Sequence, residues 1–321
     1  MSTGPGSWEA VAASFVPLPP AAPALVLRGR AVGPAAGAVM AIINRTTDSF
    51  YAPARFADDE AALDAVGRAV DDGASIVDIG GVRAGVGPDV SVAEEIARTA
   101  PFVARVRETF PDVLVSVDTW RADVAAEVAD AGADLLNDTW AGADPRLVEV
   151  AGARRLGVVC SHTGGAPPRT DPRDVRFPLP DDAPEGVDPR DGVVADVVAG
   201  LRAGAARALA CGVPAGSVLV DPTHDFGKRT VDSLQLVRRT PSLVALGFPV
   251  LMALSRKDFV GETLDLPVEE RLEGTLAATA VAAWHGARVF RSHDVRATRR
   301  VLDMVAAMRG DMPPLAPVRG L

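Results

Sequence analysis

Short β-branched runs alternate along the chain with longer stretches of helical periodicity, and a polar loop joins each run to the stretch that follows it. Eight such units can be traced. The runs predict strands over 39–43, 75–79, 113–117, 133–136, 157–160, 217–220, 250–254 and 287–290. The stretches predict amphipathic helices, among them 59–71, 92–109, 121–131, 193–211 and 269–284. The strands lack a clean alternation of apolar and polar positions, as expected where helices cover one face and a packed interior the other. Eight strand-then-helix units predict an α/β protein of the (β/α)8 TIM-barrel class, with function at the C-terminal ends of the strands. The barrel is expected to be a single domain over residues 24–310, between a flexible N-terminal tail (1–23) and a C-terminal tail (311–321). A short hairpin over 25–32 is expected to plug its bottom. A doubly wound open sheet is the alternative. It would carry a glycine-rich phosphate loop after its first strand, where this chain has Asn44-Arg45-Thr46-Thr47-Asp48. The loop over 166–190, with seven prolines and six acidic residues, is out of proportion to the rest. It is either a functional lid or an excursion without chemistry.

Composition narrows the picture. Of 321 residues, 48% are hydrophobic and 23% charged, with a net charge of −9. The chain can bury a large core and is not basic, which disfavours a nucleic-acid partner. Only two lysines, Lys228 and Lys257, and two asparagines, Asn44 and Asn137, survive what reads as a bias toward GC-rich codons. Such a bias replaces Lys by Arg wherever diffuse charge suffices, so the survivors mark places where it does not. Two cysteines, Cys160 and Cys211, are too few for a disulfide framework. Residues 1–23 lack the basic start of a signal peptide, and no apolar run approaches the roughly 18–20 residues that cross a bilayer. A cytoplasmic protein without a membrane partner is expected.

The residues closing the eight strands are, in order, Asn44, Asp78, Asp118, Asn137, His162, Asp221, the triplet Ser255-Arg256-Lys257, and Arg291 with His293. Any one of them could be a helix cap or a turn residue. All eight polar together predict a functional mouth. Asp118, Asn137 and Asp221 offer acceptors and an amide to a flat heterocycle rich in N–H donors, with Lys257 donating beside them. Asn44, Arg291 and His293, from the adjacent first and eighth strands, form a cation-rich cluster suited to phosphate or pyrophosphate. A carboxylate metal site for hydrolysis is the competing reading, but no His-x-His follows the first strand and no His-Glu-x-x-His lies on a helix. A loosely held Mg²⁺, needing one or two protein oxygens beside phosphate and water, fits better.

With these residues in place, the chain resembles the dihydropteroate synthase family, pterin-binding barrels of folate biosynthesis. The resemblance runs from about residue 25 to 308. It is carried in order by Ile43-Asn44-x-Thr46-x-Asp48-Ser49-Phe50, Asp78-Ile79-Gly80-Gly81, Ser116-Val117-Asp118-Thr119, Leu136-Asn137-Asp138, Asp221-Pro222 with Phe226-Gly227-Lys228, Ser255-Arg256-Lys257, and Arg291-x-His293-Asp294-Val295. It implies a transferase that joins 6-hydroxymethyl-7,8-dihydropterin pyrophosphate to p-aminobenzoate with release of pyrophosphate. Asp118, Asn137, Asp221, Lys257, Arg291 and Phe226 would form the pterin site, Asn44 would hold Mg²⁺, and Lys257, Arg291 and His293 would serve the reaction. A dissociative step is implied, with Mg²⁺ and cations stabilising the leaving charge. The resemblance also implies a homodimer.

The departures lie in loops. Gly80-Gly81 is followed by Val82-Arg83-Ala84-Gly85-Val86-Gly87, where the family has Glu-Ser-Thr-Arg-Pro. Arg45-Thr46-Thr47 replaces Val-Thr-Pro, losing a rigidifying proline. Thr223-His224-Asp225 replaces a glycine-rich turn, Ser161-His162-Thr163 replaces Met-His-Met, and Asp258 stands where many members carry Ser or Arg. If Asp258 faces the mouth, it would repel the p-aminobenzoate carboxylate. Two readings follow: a working synthase that uses Arg45 or Arg83 as its loop arginine, or a pterin-binding paralogue of the actinobacterial second-copy type without synthase activity. A pterin-dependent methyltransferase barrel is a third.

Overall fold

The computed structural model describes residues 17–33, 35–45, 58–172 and 175–319. The expected motif positions Thr46 to Phe50 lie outside them. Two short strands, β1 (Leu25–Leu27) and β2 (Arg30–Val32), form an antiparallel hairpin, and eight parallel strands follow. These are β3 (Ala38–Asn44), β4 (Ile76–Gly80), β5 (Leu114–Asp118), β6 (Leu135–Asp138), β7 (Gly157–Ser161), β8 (Val218–Asp221), β9 (Leu251–Met252) and β10 (Val289–Ser292). Their order, β8-β7-β6-β5-β4-β3-β10-β9, closes through one parallel bridge from Val220 to Val250. The helices between them are α1 (Asp59–Asp71), α2 (Val92–Thr109), α3 (Ala122–Asp130), α4 (Arg146–Arg154), α5 (Gly192–Ala210), α6 (Thr230–Arg238), α7 (Thr240–Val244), α8 (Asp258–Leu264), α9 (Leu272–Trp284) and α10 (Val295–Arg309). This is the (β/α)8 barrel that the eight repeated units predict.

Two layers fill the space inside the strands. The lower one is apolar: Met40, Ile76, Leu114, Leu135, Val159, Leu219, Leu251 and Val289 form one buried cluster with Leu25, Leu27 and Val32 of the hairpin. The hairpin therefore plugs the bottom, as expected. Its turn places Arg28 and Gly29 at φ of 49° and 72°, the two left-handed residues of a tight two-residue hairpin. Arg28 accepts that backbone while its Nε donates to Asp134 Oδ1 at 2.6 Å, fastening the hairpin to the barrel. Side chains two residues further along a strand point the same way. Two residues above Ile76, Leu114, Leu135, Val159, Leu219 and Val289 stand Asp78, Ser116, Asn137, Ser161, Asp221 and Arg291. The interior thus changes from apolar to polar within one pleat.

Most strands start one or two residues later than the sequence predicts and run on through their polar closing residue. The backbones of those residues remain in register with their neighbours, Asp118 with Asn137 and Ser161 with Asp221, so they are strand residues facing inward rather than loop residues. The strand expected over 250–254 shrinks to Leu251–Met252. The tail expected over 1–23 is docked at its end: Ala22 N–H donates to Gly286 C=O at 2.9 Å, Arg309 reaches Pro19 C=O at 3.0 Å, and Ala22 is buried. Among the described residues, no helix is long and apolar enough to cross a membrane.

Candidate functional site

Asp78 is the organising carboxylate of the mouth. It is fully buried on β4 and accepts from Ser116 Oγ (2.6 Å), Asn137 Nδ2 (3.1 Å) and Arg291 Nε (2.6 Å). Arg291 also donates from Nη2 to Asp118 Oδ2 (3.0 Å), and Thr139 Oγ1 donates to Asp118 Oδ1 (2.9 Å). Burial pushes the Asp118 carboxyl up to about 6, with Arg291 pulling against it and Asp78 adding repulsion. Burial also works against the charge of Arg291, but Asp78 and Asp118 hold the guanidinium firmly protonated. The strands β4, β5, β6 and β10 therefore deliver four expected groups, Asp78, Asp118, Asn137 and Arg291, into one hydrogen-bonded cluster.

Across the mouth, Asp221 closes β8 and accepts Thr223 N–H at 2.7 Å, and burial raises its pKa while Lys257 opposes the shift. Lys257 sits at the N-cap of α8 and donates to His224 C=O. Its ammonium lies 4.6 Å from the centre of the Phe226 ring, and Phe226 meets Trp140 edge-on with centroids 5.2 Å apart. Burial lowers the Lys257 pKa, and Asp225 and Asp221 restrain the fall. The turn beneath carries Thr223, Asp225 and Gly227 at φ of 54°, 69° and 58°. A non-glycine residue in that region costs of order 1–3 kcal/mol. Asp225 offsets this by accepting Asp258 N–H (2.7 Å) and Ser233 Oγ–H (3.2 Å), tying the turn to α6 and α8.

His293 is held by Ser255. The Ser255 hydroxyl accepts His293 backbone N–H (3.1 Å) and lies 2.9 Å from the ring Nδ1, a hydrogen bond that orients the imidazole. Burial, helped by Arg291 and Arg256, pushes its pKa down to about 3, so the ring is neutral near pH 7. This corrects the cation-rich cluster expected from Asn44, Arg291 and His293: one ring is uncharged, and the guanidinium is engaged by two carboxylates. Asn44 ends β3 opposite Gly80, its Oδ1 only 3.3 Å from where a Cβ at Gly80 would stand. A side chain at position 80 would crowd that oxygen.

Several other polar residues point elsewhere. Among the described residues Arg45 meets Asp58 C=O (3.1 Å), the Asp59 carboxylate and the Phe102 ring (4.7 Å). Arg256 is bidentate to Asp294 (2.9 and 3.0 Å) and braces the carbonyls of Val268 and Glu269, so of its triplet Ser255, which holds His293, and Lys257 serve the mouth. Lys228 donates to three carbonyls, His162 (2.6 Å), Thr223 (3.1 Å) and Phe226 (3.0 Å), rather than to an acidic neighbour. His162 leans on Gly200 of α5 and bonds Asp196 (2.6 Å). Burial and Lys228 bring its pKa to about 4. His224 is fully buried against Phe259, and neither ring nitrogen has a partner among the described residues. Asp258 pairs with Arg271 (2.8 Å), its side chain 77% exposed. Thr139 and Trp140 carry no sequence signal of a site role, and Ser116 stands out in the sequence only as part of the motif ending in Asp118-Thr119.

A flat ring rich in N–H donors suits this half-ring of acceptors, with an aromatic face and an ammonium beside it. The family model of pterin-binding enzymes matches residues 40–293. An inactive dihydropteroate synthase 2 of Mycobacterium leprae is 55% identical over 296 residues, spanning 92% of this chain and 99% of its own. Among solved structures, the Yersinia pestis dihydropteroate synthase in a sulfonamide drug complex is 31% identical and superposes with a TM-score of 0.80, covering 90% of this chain and 100% of its own. The Coxiella burnetii dihydropteroate synthase in complex with pteroic acid, 32% identical, gives 0.76 over 89% and 98%. On fold, sequence and the polar mouth alike, this chain belongs to the pterin-binding enzyme family and is a barrel of the dihydropteroate synthase type.

Proposed function

We propose that the mouth binds 6-hydroxymethyl-7,8-dihydropterin pyrophosphate through its ring, as a dihydropteroate synthase-type transferase site whose condensation with p-aminobenzoate is weak or lost. One observation carries the ring reading. Asp118, Asn137 and Asp221 converge as acceptors on strands β5, β6 and β8, with Lys257 and Phe226 completing the wall. Two observations support reduced turnover. The 55% identical relative bears the name inactive, whereas the named synthases of known structure stand near 31%. Arg45, one of two arginines offered as loop substitutes, is engaged by Asp58, Asp59 and the Phe102 ring. A working synthase that uses Arg83 is the second reading, favoured by the intact ring wall. The complex of pteroic acid with a relative supports pterin and p-aminobenzoate as the ligand classes rather than methyl transfer.

Asn44 fits a Mg²⁺ that is shared with phosphate rather than caged by protein. It offers one neutral oxygen at the strand end, and the described residues contain no cluster of three or more carboxylate, histidine or cysteine ligands. When bound, the ion would neutralise leaving phosphate charge. Apolar side chains exposed on the adjoining helices α6 (Val231, Leu234), α8 (Leu264) and α9 (Val281) support a homodimer through that face. Both cysteines are free, in keeping with a reducing cytoplasm.

The test has two steps. Calorimetry with the pterin pyrophosphate and Mg²⁺ is expected to give saturable binding that Asp118→Asn or Lys257→Ala abolishes; no binding at millimolar ligand sinks the ring reading. Product formation with p-aminobenzoate then separates the two readings. Turnover able to rescue a strain lacking the synthase would establish the working enzyme.

A further inference from the structure

The proline-rich segment after β7 carries a cation that the ring wall does not account for. Arg169 adopts a left-handed φ of 64°, and although it lies in a segment without helix or strand, its side chain is only 12% exposed. Its Nε donates to Gly85 C=O in the loop after β4 at 3.4 Å, the long limit of a hydrogen bond. Its Nη1 lies 3.9 Å from Asp89, whose carboxylate is fully solvated. These are its polar contacts among the described residues. A guanidinium withdrawn from water normally has closer compensation than this.

Its place in the fold says where that charge is aimed. In the barrel order β7-β6-β5-β4, two strands separate the ends that this contact joins. Leaving β7, the segment lines a cavity with Trp140, Ala141, Gly142 and Ala143 of the loop after β6 and ends on Gly85 of the loop after β4, so it passes the ends of β5 and β6 that carry Asp118 and Asn137. It arrives at Gly85, five residues beyond Gly80, the strand residue that pairs with Asn44 on β3. On that side the cations at Gly85 of the loop after β4 are Arg83, whose guanidinium stands against it, and Arg169. Arg291 is engaged by Asp78 and Asp118, and Arg45 meets Asp58, Asp59 and the Phe102 ring. A phosphate there would be served by a planar fork that matches two oxygens at once.

We propose that Arg169 is an anion-binding residue of the mouth, contacting the diphosphate end of a ligand whose ring is held by Asp118, Asn137, Asp221 and Lys257. The identity of that ligand rests on the function proposed above; the anion contact is judged without it. The stretch from the end of β7 to Arg169 is then a strap that brings a cation from one side of the barrel to the other, and the Arg169 contact with Gly85 is its resting position.

Calorimetry of the full chain with three probes tests this: Mg²⁺ with inorganic pyrophosphate, the pterin pyrophosphate, and the pterin alcohol that lacks phosphate. Arg169→Ala is expected to weaken both diphosphate-bearing probes by about tenfold or more, the scale of a lost charge-assisted contact, and to change alcohol binding by less than about twofold. Arg169→Lys should fall between, because an ammonium cannot span two oxygens. Asp89→Asn, which removes the competing carboxylate, should tighten pyrophosphate. The proposal is overturned if the parent protein does not bind pyrophosphate, or if Arg169→Ala binds it as the parent does. It is also overturned if alcohol and diphosphate lose affinity equally, since Arg169 is then only a tether between loops. Failure of the parent to bind the alcohol would instead refute the ring reading, while the pyrophosphate comparison still decides for or against Arg169.

Discussion

The two layers inside the barrel are built by the same strands, one pleat apart, and they obey opposite rules. At the bottom, Ile76, Leu114, Leu135, Leu219 and Val289 touch apolar neighbours and need no partner of particular chemistry. At the mouth, Asp78, Ser116, Asn137, Asp221 and Arg291 occupy the equivalent positions two residues on, and each buried charge depends on a named partner. The lower layer is held by area and packing, and tolerates exchange of one hydrocarbon for another. The upper layer is held by matched charges whose desolvation is costly, so it contributes little net stability while fixing geometry. Specificity and stability have been assigned to different floors of one structure.

The largest effect should come from Asp78→Ala. Removing the carboxylate takes away one of the two carboxylates that hold Arg291 and orphans two further donors, so chemical denaturation should register a loss of about 3–5 kcal/mol, with ring binding gone. A loss below about 1 kcal/mol would mean that the upper layer is water-filled and forgiving, and the contrast between layers would collapse. An intermediate effect concerns pH. With Asp118 raised to about 6 by burial, affinity for the pterin alcohol should be level above that pH. It should fall about tenfold per unit below it, because a protonated carboxyl accepts poorly from ring N–H groups. The sign for folding is the reverse. The folded state binds the Asp118 proton more tightly than the unfolded chain, so this group costs stability as pH rises from about 4 through 6 and none below. Titration of binding by calorimetry checks the first limb; level affinity down to pH 5 would contradict it. The smallest effect is expected at the bottom, where Ile76→Val should cost about 0.5–1.5 kcal/mol and leave ring affinity within about twofold. A larger loss of affinity would show that the layers are coupled.

Much of this was legible in the sequence, and the boundary of legibility has a physical cause. The helices 59–71 and 92–109 were readable to the residue because their signals are local: Asp58 and Ser91 cap them by accepting Ala61 and Glu94 N–H. The identities of Asp118, Asn137, Asp221 and Lys257 were readable because polar residues at strand ends are conspicuous. Partnership was not. The Arg291 contact with Asp78 joins residues 213 apart, and no local pattern says that a guanidinium expected to meet phosphate will be occupied by carboxylates. Direction was equally hidden. His162 follows a strand just as the mouth residues do, yet Asp196 draws it to the outside. The short β9 has the same origin. Its apolar run continues through Leu254, but Ala253 and Leu254 have already left the ladder on the way to the turn at Arg256, with φ of 54°.

That shortness has a mechanical meaning. Six of the seven ladders in the barrel sheet join three to five residue pairs and the β9–β10 ladder two, whereas β8 meets β9 through the single Val220–Val250 bridge. The wall has a seam, and amide exchange should begin there. Asp221 stands on one lip of it and Lys257 follows the other, so a ring gripped by both would work as a clasp, converting ligand affinity directly into closure of the barrel.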